Sequence, residues 1–167
     1  EKQQQFYWPG WQTNLALYIL LCGITGLAGY FGAKRKTTSL GFSFFCDQHV
    51  PVHYVSYFIT RIIYLVLYEI FFRGLFLYAC LALVDVKLAI AINIFVYSIA
   101  HWYSNRQEVI GSLPFGLILC LLTVWYDSVW PAVVLHLSLA LSHDLTLVMI
   151  KEKIIASPFN SLLKSKT

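Results

Sequence analysis

The stretch Tyr68-Glu69-Ile70-Phe71-Phe72-Arg73-Gly74 decides how this chain must fold. It lies inside an apolar run from Tyr54 to Val84, with Glu69 near the middle. An ionised carboxylate at the centre of a membrane helix costs roughly 2.5 kcal/mol or more, so it calls for a partner. Arg73 is the candidate. A spacing of four puts the two side chains one above the other on a helix face, and acid before base is the more favourable order. The simple reading is an ion pair that fixes the register of a buried helix. The sharper one is a reactive centre, because ionisable groups at membrane depth mark functional sites.

Composition agrees with a membrane setting. The 167 residues are 59% apolar and 17% aromatic but only 12% charged, against roughly 25% charged in a soluble domain. The expected fold is therefore an all-α polytopic membrane helix bundle of about five transmembrane helices. It is read as a single membrane-embedded domain over 1–167. The net charge of +4 comes mainly from tails and loops, so it reports topology and not a nucleic-acid footprint. Cys22, Cys46, Cys80 and Cys120 stand singly, with no zinc-like spacing, and read as small apolar fillers. No metal or other cofactor is expected. Nothing at the start has the order of a signal peptide.

Working outward, residues 1–13 carry Tyr7, Trp8 and Trp11, which suits an interfacial belt. Asn14 to Ala33 has the roughly 20 residues needed to cross ~30 Å of hydrocarbon. Gly23, Gly26, Gly29 and Gly32 recur every third residue there, where small side chains admit a neighbouring helix. Lys34-Arg35-Lys36 ends the span and opens a polar connection to about His53. The run Tyr54 to Val84 exceeds one crossing, so it is tilted, kinked or interfacial at its start. Arg61 is expected to snorkel to the near interface. After a turn at Asp85-Val86-Lys87, a third span runs from Leu88 to about Tyr103. A fourth runs from Gly111 to Tyr126, with Pro114 in its first turn. A fifth runs from Ala132 to Ile150, before a basic tail. Five crossings put Lys34, Arg35, Lys36, Arg106, Lys151, Lys153, Lys164 and Lys166 on one side, against Lys2 and Lys87. That asymmetry predicts an integral protein, of the cell inner membrane, with its N-terminus out and C-terminus in.

Scarce polar residues then gather on three spans. Asn93, Tyr97 and His101 form one stripe at intervals of four, and His136 and His143 are seven apart with Asp144 alongside. A lone buried His is ordinarily a hydrogen-bonded core residue. Three spans that each supply an ionisable group, Glu69 with Arg73, then His101, then His136, make a shared pocket the stronger expectation. A Glu and a His beside one water can act as base and acid, with a second His donating to an oxyanion. Proton relay and metal-assisted chemistry draw on the same residue types.

The pattern resembles the CPBP family, the CAAX prenyl proteases and Abi-type bacteriocin-processing proteins, which are glutamic-type intramembrane endopeptidases. The matching motifs are Y-E-I-F-F-R-G at 68–74, Y-S-I-A-H at 97–101 and H-L-S-L-A at 136–140, in the family's order. The resemblance makes 54–150 the family-like core. It implies cleavage of membrane-associated or prenylated peptides, with membrane lipid and a membrane-anchored peptide or protein as partners and no nucleic acid. Carried over by position, Glu69 matches the second Glu of the family's pair, Arg73 its Arg, His101 the water-activating His and His136 the oxyanion His. Tyr68 stands where the first Glu would be, and Ala140 where an Asn would be. A phenol is a poor general base at neutral pH, and Ala has no donor. Two readings stay open. Glu69 with His101 activates water while His143 or Asp144 supplements the last motif, or the scaffold serves without catalysis as a membrane partner, immunity factor or complex subunit.

Overall fold

The computed structural model describes residues 15–40, 54–102 and 106–164, and side chains over 17–37, 54–102 and 109–153. The expected aromatic belt at 1–13 and Cys46 lie outside the described residues. Helix α1 spans Leu15–Leu40, α2 Tyr54–Leu83, α3 Val86–Ala100, α4 Arg106–Tyr126 and α5 Trp130–Lys164, with no strand among the described residues. The protein is an all-α helix bundle of an integral membrane type. Four of these helices are long and apolar enough to cross a bilayer, and α3 is a shorter apolar helix.

Several boundaries differ from the sequence expectation for local reasons. Lys34-Arg35-Lys36 does not end α1, which continues to Leu40, because Lys and Arg are good helix formers. Lys34 also lays its ammonium over the Tyr30 ring, 4.6 Å from the centroid. Asp85 is not mid-turn but the N-cap of α3. Its Oδ1 accepts from the backbone N–H of Lys87 at 3.0 Å and Leu88 at 3.2 Å, which satisfies donors that a helix start leaves over. The third span closes early, at Ala100. There the N–H groups of His101 and Trp102 bond to the carbonyls of Ser98 and Ile99, a tightened last turn of the 3₁₀ kind. Because α4 begins at Arg106, Pro114 lies inside it and not in its first turn. The basic tail continues α5 to Lys164.

Small and hydroxylated residues bring α1 onto α5. A Cβ on Gly29 would stand 2.3 Å from the Leu139 carbonyl oxygen, so only glycine admits this approach. Ser138 donates to the Cys22 carbonyl at 2.8 Å and Ser142 to that of Gly26 at 2.6 Å, and both hydroxyls thereby satisfy themselves in an apolar setting. Gly26, Gly29 and Gly32 all face α5, whereas Gly23 faces open space. On the other side, Leu77, Ala89, Ile90 and Cys120 join α2, α3 and α4 in one apolar cluster. Leu119, Ala132 and Leu135 join α4 to α5 in another. The turn between those two helices places Asp127 at φ 46, a left-handed conformation that Asp tolerates better than most residues.

The excess length of Tyr54 to Val84 has a definite form. Residues Ile70–Phe76 are a π-helix inside α2, and the Leu77 N–H reaches back five residues to the Phe72 carbonyl. Such wide turns are uncommon and concentrate at functional sites. This one begins at the residue after Glu69 and contains Arg73.

Candidate functional site

Glu69 ends the regular part of α2 and is fully buried, as is Arg73. Its Oε1 is 2.5 Å from Nδ1 of His136 on α5. Its Oε2 is 3.4 Å from Arg73 Nε. A carboxylate oxygen only accepts, so His136 donates Nδ1–H and directs Nε2 the other way. The Arg73 guanidinium lies over the face of Tyr97 on α3, 4.0 Å from the ring centroid, and 5.9 Å from that of Phe72. Glu69 Oε2 and all three Arg73 nitrogens are buried without a hydrogen bond. The charges are therefore compensated by proximity and by the aromatic face, a cation–π arrangement that gains strength away from water.

His101 follows the last helical residue of α3. Its Nδ1 is 2.9 Å from the Tyr97 carbonyl and 3.4 Å from the Tyr68 hydroxyl. A carbonyl only accepts, so Nδ1 carries the proton and the neutral ring keeps a lone pair on Nε2. Tyr68 joins the two halves of the site. Its ring meets His101 at 6.1 Å and His136 at 6.0 Å between centroids, both edge-on, and also packs against Phe72 and Tyr97.

The structure thus links Glu69 to Arg73 and His136, and Arg73 to Tyr97, while His101 meets Tyr97 directly and Tyr68 stands between the two histidines. Asn93, one turn before Tyr97, is fully buried and donates to the Phe72 carbonyl at 2.7 Å. His143 and Asp144 sit elsewhere. Asp144 Oδ1 is 3.1 Å from His143 Nδ1, and Oδ2 accepts from Tyr57 at 3.0 Å and Arg61 at 3.1 Å. Eight residues of α5 separate Asp144 from His136, about 12 Å of helix rise, so this pair belongs to a second cluster. Arg61 accordingly pairs with Asp144. Ala140 is buried one turn after His136.

Three participants escaped the sequence reading. Cys120, read as filler, donates its thiol to Asn93 Oδ1 at 3.2 Å. Gly116 lets α4 close over the site, since a Cβ there would stand 3.1 Å from Tyr97 and 3.4 Å from Arg73. The π-helical turn was signalled only by the surplus length of α2. Among the described residues, no three His, Cys, Asp or Glu side chains converge as a metal-ligand set would.

A bundle of membrane-length helices with a buried Glu, Arg and His is of an integral membrane class. The family model described as type II CAAX prenyl endopeptidase Rce1-like matches residues 51–142, and the chain belongs to that family. No curated protein and no solved structure matches it.

Proposed function

We propose that this protein is a membrane-embedded endopeptidase that hydrolyses a membrane-associated or prenylated peptide, using His101 and His136 on water and carbonyl. The supporting observation is the 2.5 Å contact between the fully buried Glu69 and the largely buried His136. A carboxylate at Nδ1 fixes the ring and balances an imidazolium, as in other carboxylate–histidine pairs. When it carries a proton on both nitrogens, His136 offers an Nε2–H to the carbonyl oxygen.

His101 offers the complementary group, an unprotonated Nε2. It takes a proton from water while the water oxygen bonds to the scissile carbonyl carbon, and the resulting oxyanion accepts from His136. The C–N bond then breaks, and His101 returns the proton to the leaving amine. Glu69 acts on His136 and not on water. Arg73 holds the carboxylate's charge in place, so both are positioning residues. The excess of Lys and Arg on one side of the bundle supports an inner-membrane protein with its N-terminus outside and its C-terminus in the cytoplasm.

A specific observation favours a second reading, a noncatalytic relative acting as a membrane partner, immunity factor or complex subunit. The Tyr68 ring stands against both imidazoles where the family resemblance would place a carboxylate. Cleavage of a prenylated peptide by the purified protein in lipid nanodiscs separates the two. Catalysis predicts turnover that His101→Ala lowers 100-fold or more while the variant stays folded. Full activity in that variant ends the catalytic reading. An inert wild type with turnover gained by Tyr68→Glu establishes the noncatalytic one.

A further inference from the structure

We propose that Asn93 is a positioning residue that holds the π-helical turn of α2 open, so that Arg73 stays over Tyr97 and faces Glu69, with Cys120 bracing Asn93 from behind. The three groups form a chain across three helices. The Cys120 thiol on α4 donates to Asn93 Oδ1 on α3 at 3.2 Å, and Asn93 Nδ2 donates to the Phe72 carbonyl on α2 at 2.7 Å. Asn93 is fully buried and Cys120 likewise, so in hydrocarbon neither has water as an alternative partner.

The Phe72 carbonyl is the decisive atom. It already accepts the Leu77 N–H, five residues on, which is the bond that defines the wide turn. A carbonyl has two lone pairs, and Asn93 takes the second. The amide of Asn93 thus ties α3 to a carbonyl whose intrahelical bond defines the widened turn. One turn along α3, Tyr97 holds the guanidinium of the very next residue, Arg73. Asn93 and Tyr97 therefore grip the turn at two adjacent points, one on its backbone and one on its side chain.

Closing the turn to regular α geometry would remove about one residue of widening. That rotates everything beyond it by ~100° relative to Glu69. Either Arg73 would leave Tyr97, or Leu77 and Cys80 would leave the apolar cluster they share with Ala89 and Cys120. The amide of Asn93 opposes both. The consequence for turnover rests on the hydrolytic reading above, whereas the geometry stands without it.

Two readouts test the geometry and one tests its use. A backbone carbonyl label at Phe72 reports, by infrared spectroscopy, the second hydrogen bond as a lowered stretching frequency. The Arg73 Nε–H signal in ¹⁵N-arginine-labelled protein, assigned with Arg73→Lys, reports the Tyr97 ring current as an upfield shift. In Asn93→Leu the carbonyl band should rise and the Arg73 signal should move downfield, out of the ring current. Cys120→Ala should move both in the same direction by less, and Cys120→Ser, which keeps a donor, should move neither appreciably. If Asn93→Leu does not fold, Asn93→Ser, too short to reach the carbonyl, takes its place. An Arg73 signal that stays upfield in the Asn93 variant overturns the proposal, whatever the carbonyl band does. In protein that cleaves, the Asn93 variant should lose at least tenfold in kcat at near-constant KM. An unchanged kcat with a displaced Arg73 overturns the positioning role. A wild type that cleaves nothing bears on the hydrolytic reading alone, because both spectra still decide the geometry.

Discussion

Two carboxylate clusters stand about two helical turns apart along α2 and α5, the deeper one joined by Tyr97 of α3, and are built from nearly the same residue types. Asp144 has Arg61, His143 and Tyr57; Glu69 has Arg73, His136 and Tyr97. Their condition is opposite. Asp144 accepts from all three neighbours at 3.0 to 3.1 Å, and the Arg61 side chain beside it is 35% exposed. Glu69 and Arg73 are wholly buried, and between them four polar atoms have no hydrogen bond. The same chemical groups thus make a satisfied clasp at one level and an unsatisfied, charge-dense cluster at the other. What differs is access to water and the π-helical turn that contains Arg73, whose guanidinium lies between Glu69 and the Tyr97 face.

The contrast breaks most sharply at Glu69. Glu69→Gln leaves Arg73 charged and buried without a counter-ion, and should cost about 3–5 kcal/mol, read as a lowered unfolding midpoint in detergent. Adding Arg73→Met to it should recover most of that loss, since a buried pair replaced by neutral groups of similar volume is close to neutral in stability. Cleavage should remain absent in the double variant, which separates the pair's role at the site from any role in folding.

At the clasp the effects should be smaller. Asp144→Asn leaves donors partly unanswered but within reach of solvent, for a loss of about 1–3 kcal/mol. Cleavage should be retained. Arg61→Lys keeps the charge and should change stability by about 1 kcal/mol or less. If Asp144→Asn proves as damaging as Glu69→Gln, the two clusters are equivalent and the distinction between them is wrong.

The helical class and the central ionisable residues were legible because hydrocarbon imposes strict rules. Long apolar runs must be helices, and a Glu four residues before an Arg must share a face. The expectation that polar side chains of three spans turn inward has a counterpart in the contact of His136 with Glu69. His143 and Asp144, expected to supplement the His136 motif, lie in a separate cluster with Arg61 and Tyr57. Periodicity gives direction around a helix but not height along it, and two turns of rise put these residues beside Arg61. The wide turn at Ile70–Phe76 left no mark in residue types. It is a compromise among three helices, visible only once Asn93 and Cys120 are seen from the side.

The brevity of α3 carries a consequence for the surrounding lipid. Its 15 residues rise only ~22 Å, against hydrocarbon ~30 Å thick. A span of that length is accommodated by a thinner bilayer, by its flanking residues, here His101 and the outward-facing Trp102, or by its neighbours in the bundle. The thickness of the surrounding bilayer therefore bears on how deep the His101 end of α3 lies.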